Sequence, residues 1–398
     1  MFPKSLTGGG QDQAMARPDG TIIFIRQALA GAVLLAVLLV LAVRPARAES
    51  QPALPRNVII FIGDGMGINH LNAAKIAKGT LNLEQFTITG LLTNFSIDEL
   101  ISSSAASTTA MVSGVNTLNG VIGLDRTGML LENAMEYARE NGKGTGLVVT
   151  STVTDATPAC FVAHVSSRTQ QDAIAEALVD SGVDVVMGGG RNYFIPKSVI
   201  GSARKDEKDL LVELAKTHTM VSTTHEFQVV GTPRRLVALL ADDNLPGAAL
   251  RPISLTQMTE KAIAILSQYE NGFFLMVEGS QIDWAGHRGY GEQIIQETVD
   301  MDDALTPVLD FARKDGHTLV VVTSDHETGG FTVLDGSVKE KKVSKAVFLT
   351  GNHTSAMVPL FAYGPGSEVL SGMHPNTFLG KVLVDYMKRS LPVSSAQK

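Results

Sequence analysis

Apolar residues fall along this chain in short unbroken runs, and between the runs lie longer amphipathic stretches. An unbroken run rich in Val, Ile and Phe predicts a strand buried on both faces. An apolar position every three or four residues predicts a helix with one buried stripe. On that basis strands are predicted over 58–62, 145–150, 183–187, 273–277, 319–323 and 357–362, the last of these closing the core. Helices are predicted over 66–77, 132–140, 169–179 (with Thr169 as cap), 256–269, 293–312 and 378–389. The Ser/Ala/Thr-rich stretch 102–112 reads as a loop entering a helix. Pro307 should bend or interrupt the 293–312 helix, because proline has no amide hydrogen and its ring crowds the preceding turn. Residues 200–226 turn charged and predict a peripheral helix and loop, and 335–345 is a polar excursion with four lysines. Alternation of this kind predicts an α/β fold with helices on both faces of a large, mostly parallel sheet, giving three layers, α/β/α.

Three of the buried strands end in acids. NVIIFIG runs into Asp64, FFLMV into Glu278, and LVVVTS into Asp325 and His326. In a parallel sheet these ends lie along one edge, where open α/β folds bind ligands. The groups should therefore converge, and without cations their repulsion would be severe. Asp64 reads as a metal ligand, and the glycines beside it let the chain turn and other groups come close. Downstream, Asp283 and His287 stand at i, i+4, a spacing that puts both on one helical face, and His353 precedes the strand at 357–362. Mixed imidazole and carboxylate ligands suit zinc, and oxygen alone suits magnesium. A nucleophile candidate lies in the serines at 102–104, where a helix N-terminus offers unpaired amides and the positive end of its dipole. Taken alone, such a serine is equally a helix cap. His70 and His164 are assigned core or surface roles, and His218, His225 and His317 surface roles. His374 is left unassigned.

The chain has 398 residues, 44% of them hydrophobic, enough for one large domain or two ordinary ones. Its start is set apart. Arg17 and Arg26 precede an uncharged apolar run at 28–43, and RPARA at 44–48 supplies an A-x-A pattern, the layout of a secretory leader cleaved after Ala48. Met15 would serve equally as the start. The alternative is an uncleaved membrane anchor, against which the run falls short of the roughly 20 apolar residues needed to span a bilayer. Residues 49–398 then form a single catalytic domain, exported to the periplasm or secreted, with no stable membrane span. The leader carries five Lys/Arg and two Asp/Glu, so its removal takes the net charge from −7 to −10. An acidic chain without a long basic run argues against nucleic acid as the main partner. Cys160, the single cysteine, rules out an internal disulfide and reads as a small buried hydrophobe.

Six motifs, in order, cover nearly all of residues 49–398: GDGMG at 63–67, SAAS at 104–107, DATPA at 155–159 with AHVSSR at 163–168, EGSQIDWAGH at 278–287, TSDHETGG at 323–330, and GNH at 351–353 followed by FAYGP at 361–365. With them the chain resembles the alkaline phosphatases. The resemblance implies hydrolysis of small phosphate monoesters at a site with two zinc ions and one magnesium, and leaves a homodimer open. Asp283, His287 and His353 would hold one zinc. Asp64, Asp325 and His326 would hold the second, next to Ser104. Magnesium would take Asp64, Thr157 and Glu278, with Asp155 reaching it through water. Ser104 would be the nucleophile, forming a phosphoserine that a metal-activated water then hydrolyses. Arg168 would clamp two phosphate oxygens.

Two departures from the family pattern stand out. Ser103 occupies the place where an acid commonly orients the arginine, so a less constrained Arg168 and weaker phosphate retention are expected. Asp155 occurs together with Trp284, which cannot bind a metal, so the identity of the third ion is open. Rival readings fare worse. GxGxG at 63–67 places Ile68 where a dinucleotide fingerprint needs its third glycine, and Asp64 would repel a pyrophosphate. Gly188 to Gly190 lacks the Lys-Ser/Thr of a P-loop. A sulfatase needs a C/S-x-P-x-R context that 104–106 does not supply. A phosphodiesterase of the same superfamily, or an exported metal- or phosphate-binding protein impaired by the change at Ser103, remain the alternatives.

Overall fold

The computed structural model describes residues 54–389, so the predicted leader lies outside the described residues. β1 (Asn57–Gly63) is buried along its whole length, because a strand flanks it on each side and helices cover both faces. Its residues alternate between two cores: Val58, Ile60 and Ile62 face one, Ile59 and Phe61 the other. The remaining strands are β2 (Ile88–Thr93), β3 (Gly144–Thr152), β4 (Val185–Gly189), β5 (Thr219–Val221), β6 (Leu236–Leu239), β7 (Phe273–Gly279), β8 (Thr318–Thr323), β9 (Glu327–Thr328), β10 (Thr332–Ser337), β11 (Lys342–Val347), β12 (His353–Thr354), β13 (Val358–Tyr363) and β14 (Gly372–Pro375). Ten of them form one sheet in the order β14-β2-β13-β8-β1-β7-β3-β4-β6-β5. Every neighbouring pair is parallel except the two made by β13, which runs against β8 and β2.

The longer helices are α1 (Ile68–Lys78), α2 (Ser104–Ser113), α3 (Ala134–Glu140), α4 (Gln171–Ser181), α5 (Leu255–Leu266), α6 (Gln281–Arg288), α7 (Gly291–Asp315) and α8 (Asn376–Lys388). One sheet face packs α2, α3, α4 and α8, and the other packs α1, α5 and α7. This is the three-layer α/β/α arrangement. The strands β1, β7 and β8 lie side by side, with Ile62 in register with Glu278 and Thr323. Their acidic C-terminal ends therefore share one edge. Among the described residues no helix is long and apolar enough to cross a membrane.

The structure departs from the pattern-based expectations in identifiable places. α7 runs unbroken through Pro307 for 25 residues. Leu305, Val308 and Leu309 on either side are buried in the core, and that packing outweighs one missing helical hydrogen bond. Thr169 does not cap α4. Gln170 stands at the cap without a side-chain bond, and Thr169 Oγ1 pairs with Ser167 Oγ at 2.8 Å. The charged stretch after Ile200 contains β5, an edge strand of the sheet, and the predicted excursion at 335–345 takes in parts of both arms of the β10–β11 hairpin. The strand at 357–362 is not the last, because β14 follows it and forms the opposite sheet edge. Edge strands carry mixed polarity because only part of each is covered, and so they lack the apolar run that marks a central strand.

Candidate active site

Asp64 follows β1 directly, and the close approach around it depends on the next residue. Gly65 has φ +73°, and a Cβ there would lie 2.7 Å from Asp283 Cα and 2.7 Å from Thr328 Oγ1. Asp325 follows β8 and its two oxygens differ. Oδ1 accepts the N–H groups of Gly65 (3.1 Å) and His326 (3.0 Å), whereas Oδ2 accepts no hydrogen bond although His326 Nε2 sits 3.1 Å away. The Asp325 carbonyl is held by Asn94 Nδ2 (2.9 Å) and Ser107 Oγ (2.7 Å), which ties the end of β8 to α2. Glu278 is the penultimate residue of β7, and Asp283 and His287 project from α6, with His287 Nε2 3.3 Å from Asp283 Oδ2. Ligand-type atoms of Asp64, Asp325 and His326 lie within 4.8 Å of one another, and so do those of Asp283, His326 and His353. His326 thus belongs to both groups, and its ring stacks on that of His353 at 3.5 Å.

Each of the three histidines has its Nδ1 already engaged. His326 Nδ1 donates to Thr328 Oγ1 (3.2 Å), whose own hydroxyl donates to Asp283 Oδ1 (2.5 Å). His353 Nδ1 donates to the Ser102 carbonyl (2.9 Å), and His287 Nδ1 to the Gly351 carbonyl (2.7 Å). All three Nε2 atoms are thereby turned toward the carboxylates, the arrangement by which outer partners orient metal-binding histidines. Four buried oxygens in or beside this cluster, Asp64 Oδ1, Asp325 Oδ2, Glu278 Oε2 and Thr157 Oγ1, have no hydrogen-bond partner. A buried carboxylate oxygen without a donor is costly, so the donor set fits cations and little else.

The electrostatics record the same crowding. Burial, followed by the charges of Asp325, Asp283, Glu278 and Asp155, pushes the Asp64 carboxyl well above the usual range. Glu278 is raised in the same way, by burial first and then by Asp155. For Asp283 and Asp325 burial also pulls upward but is outweighed. His287, His326 and His353 hold Asp283 below its ordinary value, and His326 does most to lower Asp325. The hydrogen bond that His287 donates to Asp283 lifts the imidazole to about 9.

Ser104 is the first residue of α2, almost fully buried, with Oγ 3.2 Å from His326 Nε2 and 3.4 Å from Arg168 Nη1. Ser103 is the helix cap: its Oγ accepts the N–H of Ala106 (3.2 Å) and that of Gly120 (2.9 Å). Arg168, expected to be less constrained without an acid at 103, donates from Nη2 to Asp155 Oδ1 at 2.8 Å. Of the residues singled out in the sequence, Ser104, Arg168, Asp155, Thr157, Asp64, Glu278, Asp283, His287, Asp325, His326 and His353 all lie at this edge of the sheet. His70, His164 and His218 make local bonds instead, to Gly67, to Gly123 and Glu136, and to Val183. Sequence reasoning missed Thr328, Asn119 and the carbonyls of Ser102 and Gly351. Thr328 sits two residues after His326 and was open to suspicion as its partner. A main-chain carbonyl leaves no trace in the residue types.

A family model described as alkaline phosphatase matches residues 55–348. Alkaline phosphatase 4 of Bacillus subtilis is 32% identical, covering 84% of this chain and 89% of its own length. The solved structure of alkaline phosphatase from the Antarctic bacterium TAB5 is 38% identical with a TM-score of 0.78, covering 86% of this chain and all of that one. A variant of the TAB5 enzyme solved with Mg bound is 37% identical with a TM-score of 0.79, again covering 86% of this chain and all of that one.

Proposed function

The chain belongs to the alkaline phosphatase family of metal-dependent phosphomonoesterases, and from that premise we propose that it hydrolyses small phosphate monoesters through a phosphoserine on Ser104. The observation that carries this reading is the set of four donorless buried oxygens lying beside a serine at a helix N-terminus and a guanidinium. Asp283, His287 and His353 would hold one zinc, Asp64, Asp325 and His326 the other, and Asp64, Thr157 and Glu278 a magnesium, with Asp155 near it. When bound, the cations oppose the two negative charges of a monoester and stabilise the attacking and departing oxygens.

The chain's own residues do the rest. Arg168 presents a planar fork to two phosphate oxygens, and the ion pair with Asp155 fixes the plane of that fork. The free N-terminal amides of α2 add positive potential where the phosphate arrives. Ser104 Oγ forms the new P–O bond, its proton leaves to solvent, and the bond to the alcohol breaks as the alcohol takes up a proton. Water then attacks phosphorus and gives up a proton, the Ser104–phosphate bond breaks as Oγ takes up a proton, and inorganic phosphate departs. Ser103 holds the start of α2, which fixes the direction from which Oγ approaches.

The test is hydrolysis of a chromogenic phosphate monoester by the purified chain. Chelation should abolish the activity, and zinc with magnesium should restore it. Ser104→Ala should lower kcat on the order of 10³-fold or more. Activity that survives either treatment would sink the mechanism. We further assign residues 1–48 as an export leader and 49–398 as one catalytic domain. The exported chain is then expected to begin at Glu49, as read by N-terminal sequencing, and a start at Met1 or Met15 would refute cleavage.

A further inference from the structure

We infer that Asn119 is a positioning residue that keeps the nucleophile, the arginine clamp and one histidine in register through main-chain contacts; this rests on the reading of the site given above. The Asn119 carboxamide faces the segment leading into α2 and bonds on both sides of Ser102. Its Oδ1 accepts the N–H of Ser103 at 2.7 Å, and its Nδ2 donates to the carbonyl of Ile101 at 2.8 Å. The N–H of Ser103 and the C=O of Ser102 belong to one planar trans peptide and point in opposite directions. Asn119 grips that plane by its N–H, and His353 Nδ1 grips it by its C=O at 2.9 Å. A change in the tilt of this one peptide moves the His353 ring and the start of α2 together.

Gly120 extends the same clasp. Its N–H donates to Ser103 Oγ (2.9 Å), the atom that caps α2, and its C=O accepts the N–H of Arg168 (2.8 Å). Residues 119–120 therefore touch Ser103, next to the nucleophile, and also the backbone of the clamp. With serine rather than an acid at 103, the nucleophile's own segment offers the Arg168 guanidinium no carboxylate, and its one side-chain bond there is the long one from Nη1 to Ser104 Oγ (3.4 Å). Its placement relative to Ser104 rests on Asp155 from one side and on this main-chain link from the other. Asn119 touches no reacting atom. Its effect is geometric, and reacting groups displaced by about 1 Å can lose about 100-fold in rate.

The experiment compares three variants of the zinc- and magnesium-loaded chain: Asn119→Ala, Asn119→Asp, and Leu118→Ala as a neighbour on the same loop with no bond to residues 101–103. Four quantities are measured: kcat and KM on a chromogenic monoester, inhibition by inorganic phosphate, release of zinc to a chromophoric chelator, and thermal midpoint. Asn119→Ala is expected to lower kcat about 30- to 100-fold, to weaken phosphate inhibition several-fold, and to release zinc faster. Asn119→Asp keeps the acceptor for Ser103 but sets an acceptor against the Ile101 carbonyl, so about a 10-fold loss is expected. Leu118→Ala should stay within about 3-fold of the parent even where its midpoint falls as far. If Asn119→Ala matches Leu118→Ala in kcat, phosphate inhibition and zinc release, the inference is wrong while the proposed activity stands. If the parent chain fails to hydrolyse the monoester, the functional reading falls instead. Should Asn119→Ala not fold, Asn119→Asp decides by the same comparison.

Discussion

His70 shows how one residue's surroundings set its chemistry. It is fully buried, its ring lies 5.2 Å from that of Phe331, and its Nδ1 accepts the N–H of Gly67 at 3.1 Å. Burial holds its pKa down to about 4. The folded chain therefore keeps the imidazole neutral, and as pH falls the unfolded chain takes up the proton first. The stability this neutral form contributes is complete above about pH 6.5 and is lost between there and about pH 4, a span worth about 3 kcal/mol. His70→Asn can keep the Gly67 bond through Oδ1 but does not titrate in that range. Chemical denaturation of both chains at pH 7.5 and pH 4.5 should show a shallower loss for the variant, and equal losses would refute the assignment. From the sequence His70 could be excluded as a ligand only by its distance from any strand-end acid. Its bond to Gly67 is local to the first turn of α1, but its burial comes from α1 packing against residues from the segment after β9, Phe331 among them.

At the scale of elements, the placement of Ser104 depends on how closely α2 and α8 pack. A Cβ at Gly380 would fall 2.3 Å from Gly114 N and 2.4 Å from Ala110 O, both backbone atoms of the last turn of α2 and its cap. Backbone cannot yield as a side chain can, so Gly380→Ala must push the helices apart, at a cost of about 1–3 kcal/mol. A lower thermal midpoint is the expected result, with kcat falling more than KM rises because Ser104 sits at the far end of the displaced helix. An unchanged midpoint would show that the contact is slack. The central strands and the amphipathic helices were legible because their periodicity is strong and both faces, or one stripe, are buried. Pro307 was misread because local chemistry disfavours it in a helix while the buried residues around it favour the helix more.

For the whole molecule, the acids sit on β7 and α6 and in the short segments just after β1, β3 and β8, so cations bound among them would join elements from both helical layers to the sheet. Chelation should therefore lower the thermal midpoint by roughly 10 °C or more, since saturating ligands with about 1,000-fold excess over Kd each contribute about 4 kcal/mol. The pH trend of the chelated chain has a definite sign. Asp64 and Glu278 have folded pKa values raised above the unfolded ones, so the stability tied to their protonated forms is present at low pH and is lost as pH rises through the folded values. A midpoint indifferent to chelation, measured by calorimetry, would count against the cluster as a cation site. By itself the sequence determined the fold class, the central strands and the acids and histidines at their ends, because burial on both faces and charged residues beside glycine leave marks in residue type. Only the tertiary structure decided which oxygens lack donors, which histidine nitrogen faces the carboxylates, and that Asp155 anchors Arg168 where Ser103 cannot. The state of the Asp325 oxygens and the orientation of His353 depend on atoms from segments more than 200 residues apart meeting within about 3 Å, and on main-chain carbonyls that every residue carries alike.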